Sequence, residues 1–101
     1  METADKTILE TIDDALSILG EKTKAMIYYY VEREFGLSKE QVPSNINFFH
    51  EALRLIFGAG ASPLEKHICN GLEQKFGMTM SIGQDIDIIE YVNKLRSQSK
   101  G

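Results

Sequence analysis

Apolar residues recur at steps of three and four in five stretches of the chain, the periodicity of amphipathic helices. Ile8, Ile12, Ala15, Leu16 and Leu19 share one face of a helix predicted over residues 3–19, with Thr7-Ile8-Leu9-Glu10 fitting a capping box and Gly20 ending or kinking it. A second helix, over residues 21–35, carries Ile27, Tyr30, Val31 and Phe35 as its main stripe. Ser38-Lys39-Glu40-Gln41 reads as another capping box, but Pro43 leaves room for only a short turn. The next helix, residues 47–57, has N-cap candidates in Ser44-Asn45-Ile46-Asn47 and a core face of Phe49, Ala52, Leu53 and Ile56. The fourth repeats Leu64, Ile68, Leu72 and Phe76 in strict steps of four. Its interior Gly71 costs roughly 1 kcal/mol relative to alanine, so it marks either close approach of a neighbouring helix or an exposed, tolerated position. Ser81-Ile82-Gly83-Gln84 reads as the cap of a last helix running to about Arg96, with Ile86, Ile89 and Val92 on one side and Ile88, Tyr91 and Leu95 widening its apolar arc. Alternation appears only in Asp85-Ile86-Asp87-Ile88 and is broken by Ile89, so no sustained strand is predicted. The expected fold is all-α: one compact bundle of about five helices spanning residues 1–101.

The chain is organised around residues 45–77, a helix-corner-helix unit. Gly58-Ala59-Gly60-Ala61 breaks the helical pattern, and Ser62-Pro63-Leu64-Glu65 reopens it. Serine as N-cap, proline at the first helical position and Glu65 bonding back to the cap form a strong helix start. Gly58, Gly60, Ser62, Pro63 and Glu65 are therefore expected to build a sharp structural corner.

Two stretches carry more apolar surface than one buried face needs. Tyr28-Tyr29-Tyr30 cannot all point the same way, since consecutive helical residues stand about 100° apart. Either this helix has neighbours on several sides, or Tyr28 or Tyr29 belongs to a partner surface, where tyrosine is favoured. The last helix likewise returns onto the body or pairs with the same helix of another chain. Ile88, Tyr91 and Leu95 are accordingly partner-contact candidates beside Tyr28 and Tyr29.

Composition narrows the chemistry. With 101 residues and 43% apolar content the chain suffices for one modest core. A single cysteine, Cys69, makes no internal disulfide, and no charged-then-apolar leader or long apolar run is seen, so a cytoplasmic, membrane-free setting is expected. The net charge of -4 disfavours nucleic acid, since sequence-independent DNA affinity comes from Lys and Arg on phosphates. The alternative of a helix-turn-helix regulator reading DNA with residues 62–76 meets a helix of balanced charge, Glu65, Lys66, Glu73 and Lys75. His67 and Cys69 point about 200° apart on a helix and cannot share a metal ion. A Cys69 and His50 dyad lacks a third orienting group, and Cys69 reads as a small core residue. The Gly58–Ser62 stretch lacks the lysine and spacing of a phosphate loop and follows a helix instead of a strand. Asp13 with Asp14 and Asp85 with Asp87 read as solvated helix starts and faces. No catalytic residue, metal site or cofactor is expected.

Several of these segments together resemble a known family. Ala15-Leu16 with Leu19-Gly20, Ile27-Tyr28-Tyr29-Tyr30, Phe35-Gly36-Leu37, Phe49-His50-Glu51-Ala52-Leu53 and Ile56-Phe57-Gly58-Ala59-Gly60-Ala61 with Leu64-Glu65 look like the small archaeal output-domain family named after Nitrosopumilus. Members of that family occur alone or attached to receiver and sensor modules of two-component signalling. The likeness covers roughly residues 13–78, and Phe57-Gly58-Ala59-Gly60-Ala61 followed by Leu64-Glu65 is its most specific part. It implies an all-helical signalling module without established catalytic residues. The expectation is thus a non-enzymatic output or adaptor module that acts by protein contact, with a partner or with itself as a homodimer.

Overall fold

The computed structural model describes residues 3–77 and 87–98. Among these residues there is no strand, and five α-helices carry the fold: α1 (Thr3–Leu16), α2 (Glu21–Phe35), α3 (Ile46–Phe57), α4 (Ala61–Phe76) and α5 (Ile88–Gln98). Short 3-10 turns at Ser17–Leu19, Lys39–Gln41, Pro43–Asn45 and Gly58–Gly60 make the connections. The all-α architecture and its element order are as the periodicity predicts.

The predicted stripes meet in one core. Ile8, Ile12 and Leu16 of α1, Ile27 and Val31 of α2, Phe49 and Leu53 of α3, and Ile68 and Leu72 of α4 are all removed from solvent. α1 lies chiefly along α4, and α2 along α3. Gly71 stands where α1 and α4 come closest: a Cβ built there would lie 3.1 Å from Thr11 Cγ2. The close-approach reading of that glycine is the correct one. α2 and α4 both end in a left-handed glycine, Gly36 and Gly77, whose amides return to Glu32 O at 2.9 Å and Glu73 O at 2.8 Å.

α5 occupies the place that the sequence left open. It packs on α3, α4 and α1, and Ile88, Tyr91, Val92 and Leu95 are all but fully buried. Ile88, Tyr91 and Leu95, expected among the partner contacts, are therefore core residues in the folded chain. The physical reason is that α1, α3 and α4 present an apolar face that α5 covers. Its start also differs from expectation: the Ser81–Gln84 cap lies outside the described residues, while the Asp87 carboxylate accepts the Ile89 amide at 3.0 Å and caps the helix. At its far end, Arg96 Nε lies 2.7 Å from Asp5 Oδ1, fastening α5 to α1.

Candidate functional site

The corner between α3 and α4 exists, but with different chemistry from that predicted. Gly58 has φ +57°, a backbone conformation that side-chain-bearing residues rarely adopt, and Gly58–Gly60 form one 3-10 turn. α4 begins at Ala61, one residue before the expected cap, and its N-cap makes no side-chain hydrogen bond. Ser62 and Pro63 are exposed in the first turn. Glu65 does not close a capping box: it is only 8% exposed and faces α3, where its Oε2 lies 2.5 Å from His50 Nδ1. An imidazole partner fifteen residues away outcompetes the local amide because the side chain is carried inward on the buried face of α4. Burial pushes the Glu65 carboxyl above its usual range, against the opposing pull of His50.

Cys69, one turn further along α4, is fully buried. Burial, reinforced by the charges of Glu65, Glu73 and Asp87, pushes its thiol up to about 12, so it is protonated and shielded from solvent at neutral pH. His67 is exposed on the opposite side of the helix. Among the described residues no group of three or more His, Cys, Asp or Glu is placed to hold a metal ion. An open groove of about 420 Å³ runs between α1 and α4, lined by Thr11, Asp14, Ala15, His67, Gly71 and Gln74 among others.

The three consecutive tyrosines have three different surroundings. Tyr28 is half-buried, and its hydroxyl donates to Asp13 Oδ1 at 3.2 Å. Asp13 is a hub: Lys24 Nζ reaches Oδ2 at 3.0 Å and Lys39 Nζ reaches Oδ1 at 3.3 Å. The Lys39 ammonium also stands 5.1 Å from the centre of the Tyr28 ring, within cation–π range. Although partial burial pushes the Asp13 carboxyl upward, the hydrogen bonds from Lys24 and Lys39 outweigh it and hold the group below its usual value. Burial, with the Asp13 charge behind it, raises the Tyr28 phenol far above its ordinary range. Tyr28 is thus committed to joining α1, α2 and the turn at Lys39. Tyr30 is half-buried against the core.

Tyr29 is 61% exposed and makes no hydrogen bond to a described residue. Met26, one turn before it, is also exposed, as are Phe48 and Leu55 on α3 and Ile18 ahead of α2. Phe48 is half-anchored by Phe35, with ring centroids 5.3 Å apart, which brings the exposed side of α3 against the end of α2. Phe48, Leu55 and Met26 were missed by sequence reasoning. Their signal is an apolar residue standing off the buried stripe, visible once the stripe is drawn but silent about which arc the neighbours cover.

Comparison with known proteins adds no relative. No family model, no curated protein and no solved structure matches the chain.

Proposed function

We infer that this protein is a helical protein-interaction module whose contact surface is the outer face of α2, extended by the exposed flank of α3. The observation that supports the reading is Tyr29, a large amphipathic side chain left mostly in solvent at the middle of α2, with Met26 beside it. Tyrosine offers a rigid ring at low entropic cost, and interface energy concentrates in such anchors. Phe48 and Leu55 supply further apolar surface on α3. Under this reading the module works without bond-making chemistry, as an output or adaptor domain in cytoplasmic signalling of the archaeal type, and Tyr29 holds much of the binding energy. Ile88, Tyr91 and Leu95 support it indirectly, by fixing α5 inside the core.

The test is a photo-crosslinking amino acid placed at position 29 and, as control, at the exposed Glu10 of α1 in the full chain. A discrete adduct from position 29 alone, competed by excess unlabelled protein but not by its Tyr29→Asp variant, is the expected result. Equal or absent adducts at the two positions would overturn the reading.

A further inference from the structure

We propose that the outer strip of α2 docks an acidic amphipathic segment of another protein: an apolar pair three or four residues apart, framed by carboxylates. The inference rests on the interaction reading above and commits it to one kind of partner. Its basis is a juxtaposition of four side chains. Lys22, Met26, Tyr29 and Arg33 follow one another at steps of four, three and four, and all are exposed. At about 100° per residue these steps keep all four within roughly 60° of arc, one line down the helix. The apolar pair is central and the cations terminal.

The two cations differ from those that the fold uses internally. Lys24, on another face of the same helix, is bonded to Asp13 and Glu21, Lys39 to Asp13, and Arg96 to Asp5. Lys22 and Arg33, like Lys6, Arg54, Lys66, Lys75 and Lys94, form no ion pair with any described residue. The residues four positions away from them on the helix are Met26 and Tyr29, so no carboxylate answers either cation along the strip. This leaves one line of the helix with a cation at each end of an apolar centre. A segment carrying Asp or Glu at its ends and two apolar side chains between them is its complement, in charge and in order.

The same geometry argues against a second copy of this strip as the occupant. Paired antiparallel about a two-fold axis, helices bring residues on the same side of the interface together, and Lys22 would then stand against Arg33 at both ends. Like charges so juxtaposed disfavour the pairing.

The experiment is selection of a random peptide library of about 16 residues, long enough for four helical turns, on the immobilised full chain. Polarisation titrations of the enriched peptides follow, against the wild type and against Lys22→Glu/Arg33→Glu. Both substituted residues are exposed, and far-ultraviolet circular dichroism checks that the double variant folds. The expected peptides share an apolar pair framed by Asp or Glu. They lose affinity about tenfold or more on the double variant and weaken as salt shortens the reach of charge. Peptides remade with Lys in place of the framing acids regain binding to the double variant. Enrichment without an acidic bias, equal binding to both proteins, or no enrichment overturns the proposal. A concentration-dependent dimer abolished by Tyr29→Asp overturns it in favour of a second copy. In each of these cases a specific adduct from position 29 leaves the interaction reading standing, whereas loss of that adduct removes both.

Discussion

Gly71→Ala tests the packing of α1 on α4, because two opposite effects meet at one atom. Alanine in a helix interior is favoured over glycine by about 1 kcal/mol, through lower backbone entropy in the unfolded chain. The new Cβ would lie 3.1 Å from Thr11 Cγ2, closer than ordinary van der Waals contact. Thr11 has little freedom to yield: it is 3% exposed, and its hydroxyl donates to the Thr7 carbonyl at 2.8 Å, fixing its rotamer. Either that bond breaks or α1 moves, and overpacking of this kind costs about 1–3 kcal/mol. The net expectation is a loss of about 1 kcal/mol.

The diagnostic is a cycle with Thr11→Ser, which keeps the hydroxyl and deletes the methyl group in question. In that background Gly71→Ala should stabilise by about 1 kcal/mol, since the propensity gain is then unopposed, giving a coupling of about 2 kcal/mol between the sites. Urea unfolding followed by helical circular dichroism reads this directly. With a slope of about 1–1.5 kcal/mol per molar, each kilocalorie moves the midpoint by roughly 0.7–1 M. If Gly71→Ala stabilises equally in both backgrounds, the close approach of the two helices is refuted.

Leu95→Ala should cost about 2–5 kcal/mol in the same assay, with the mass by light scattering unchanged, because Leu95 is buried within one chain. A change of mass without loss of stability would instead make α5 an assembly element. The Glu65 carboxyl is raised above its ordinary value by burial, so the folded state holds a proton more readily than the unfolded one. Its contribution therefore favours folding at acid pH and is lost as pH rises from the unfolded value towards the raised folded one. The stability gap between wild type and Glu65→Gln should move in favour of the glutamine protein across that window, and a constant gap would refute the assignment. Cys69, buried and with its thiol pushed up to about 12, should react with a thiol reagent only as fast as the chain opens. Fast stoichiometric labelling of the native protein would contradict its place in the core.

What was legible in the sequence was what short-range physics decides. The stripes of α1 to α4 and the breaks at Gly20 and Gly58 follow from helical period and glycine's φ, both local properties. The Ser38–Gln41 box was legible for the same reason, and Ser38 N indeed donates to Gln41 Oε1 at 2.8 Å. Two similar patterns misled. Thr7 lies inside α1, which begins at Thr3, so its carbonyl serves Thr11 instead of a cap. Asn45, offered as a side-chain cap of α3, instead donates its amide to the Gln41 carbonyl at 2.9 Å. Glu65 shows the general cause most clearly. Its spacing from Ser62 satisfies the local motif, yet its position on the buried face of α4 hands it to His50, a partner chosen by tertiary packing. The burial of Ile88, Tyr91 and Leu95 has the same origin: an apolar arc states that a cover is needed, and says nothing of whether the same chain provides it.

The tyrosine run carries this reasoning from fold to function. Three identical side chains in sequence sample three arcs of α2, so their differences are set by surroundings and not by residue type. Tyr28 meets Asp13 and Lys39, Tyr30 meets the core, and Tyr29 meets neither. Folding therefore accounts for two of the three rings. For Tyr29, and for Met26 with it, the described residues provide no cover, and Lys22 and Arg33, which flank them along the strip, form no ion pair with a described residue. Exposed apolar surface costs solubility, and an unpaired cation adds nothing to the stability of the isolated chain. On the proposal above, one partner segment supplies both the apolar cover for this pair and the carboxylates for the two cations, which is why the double charge reversal and Tyr29→Asp should act on the same binding event.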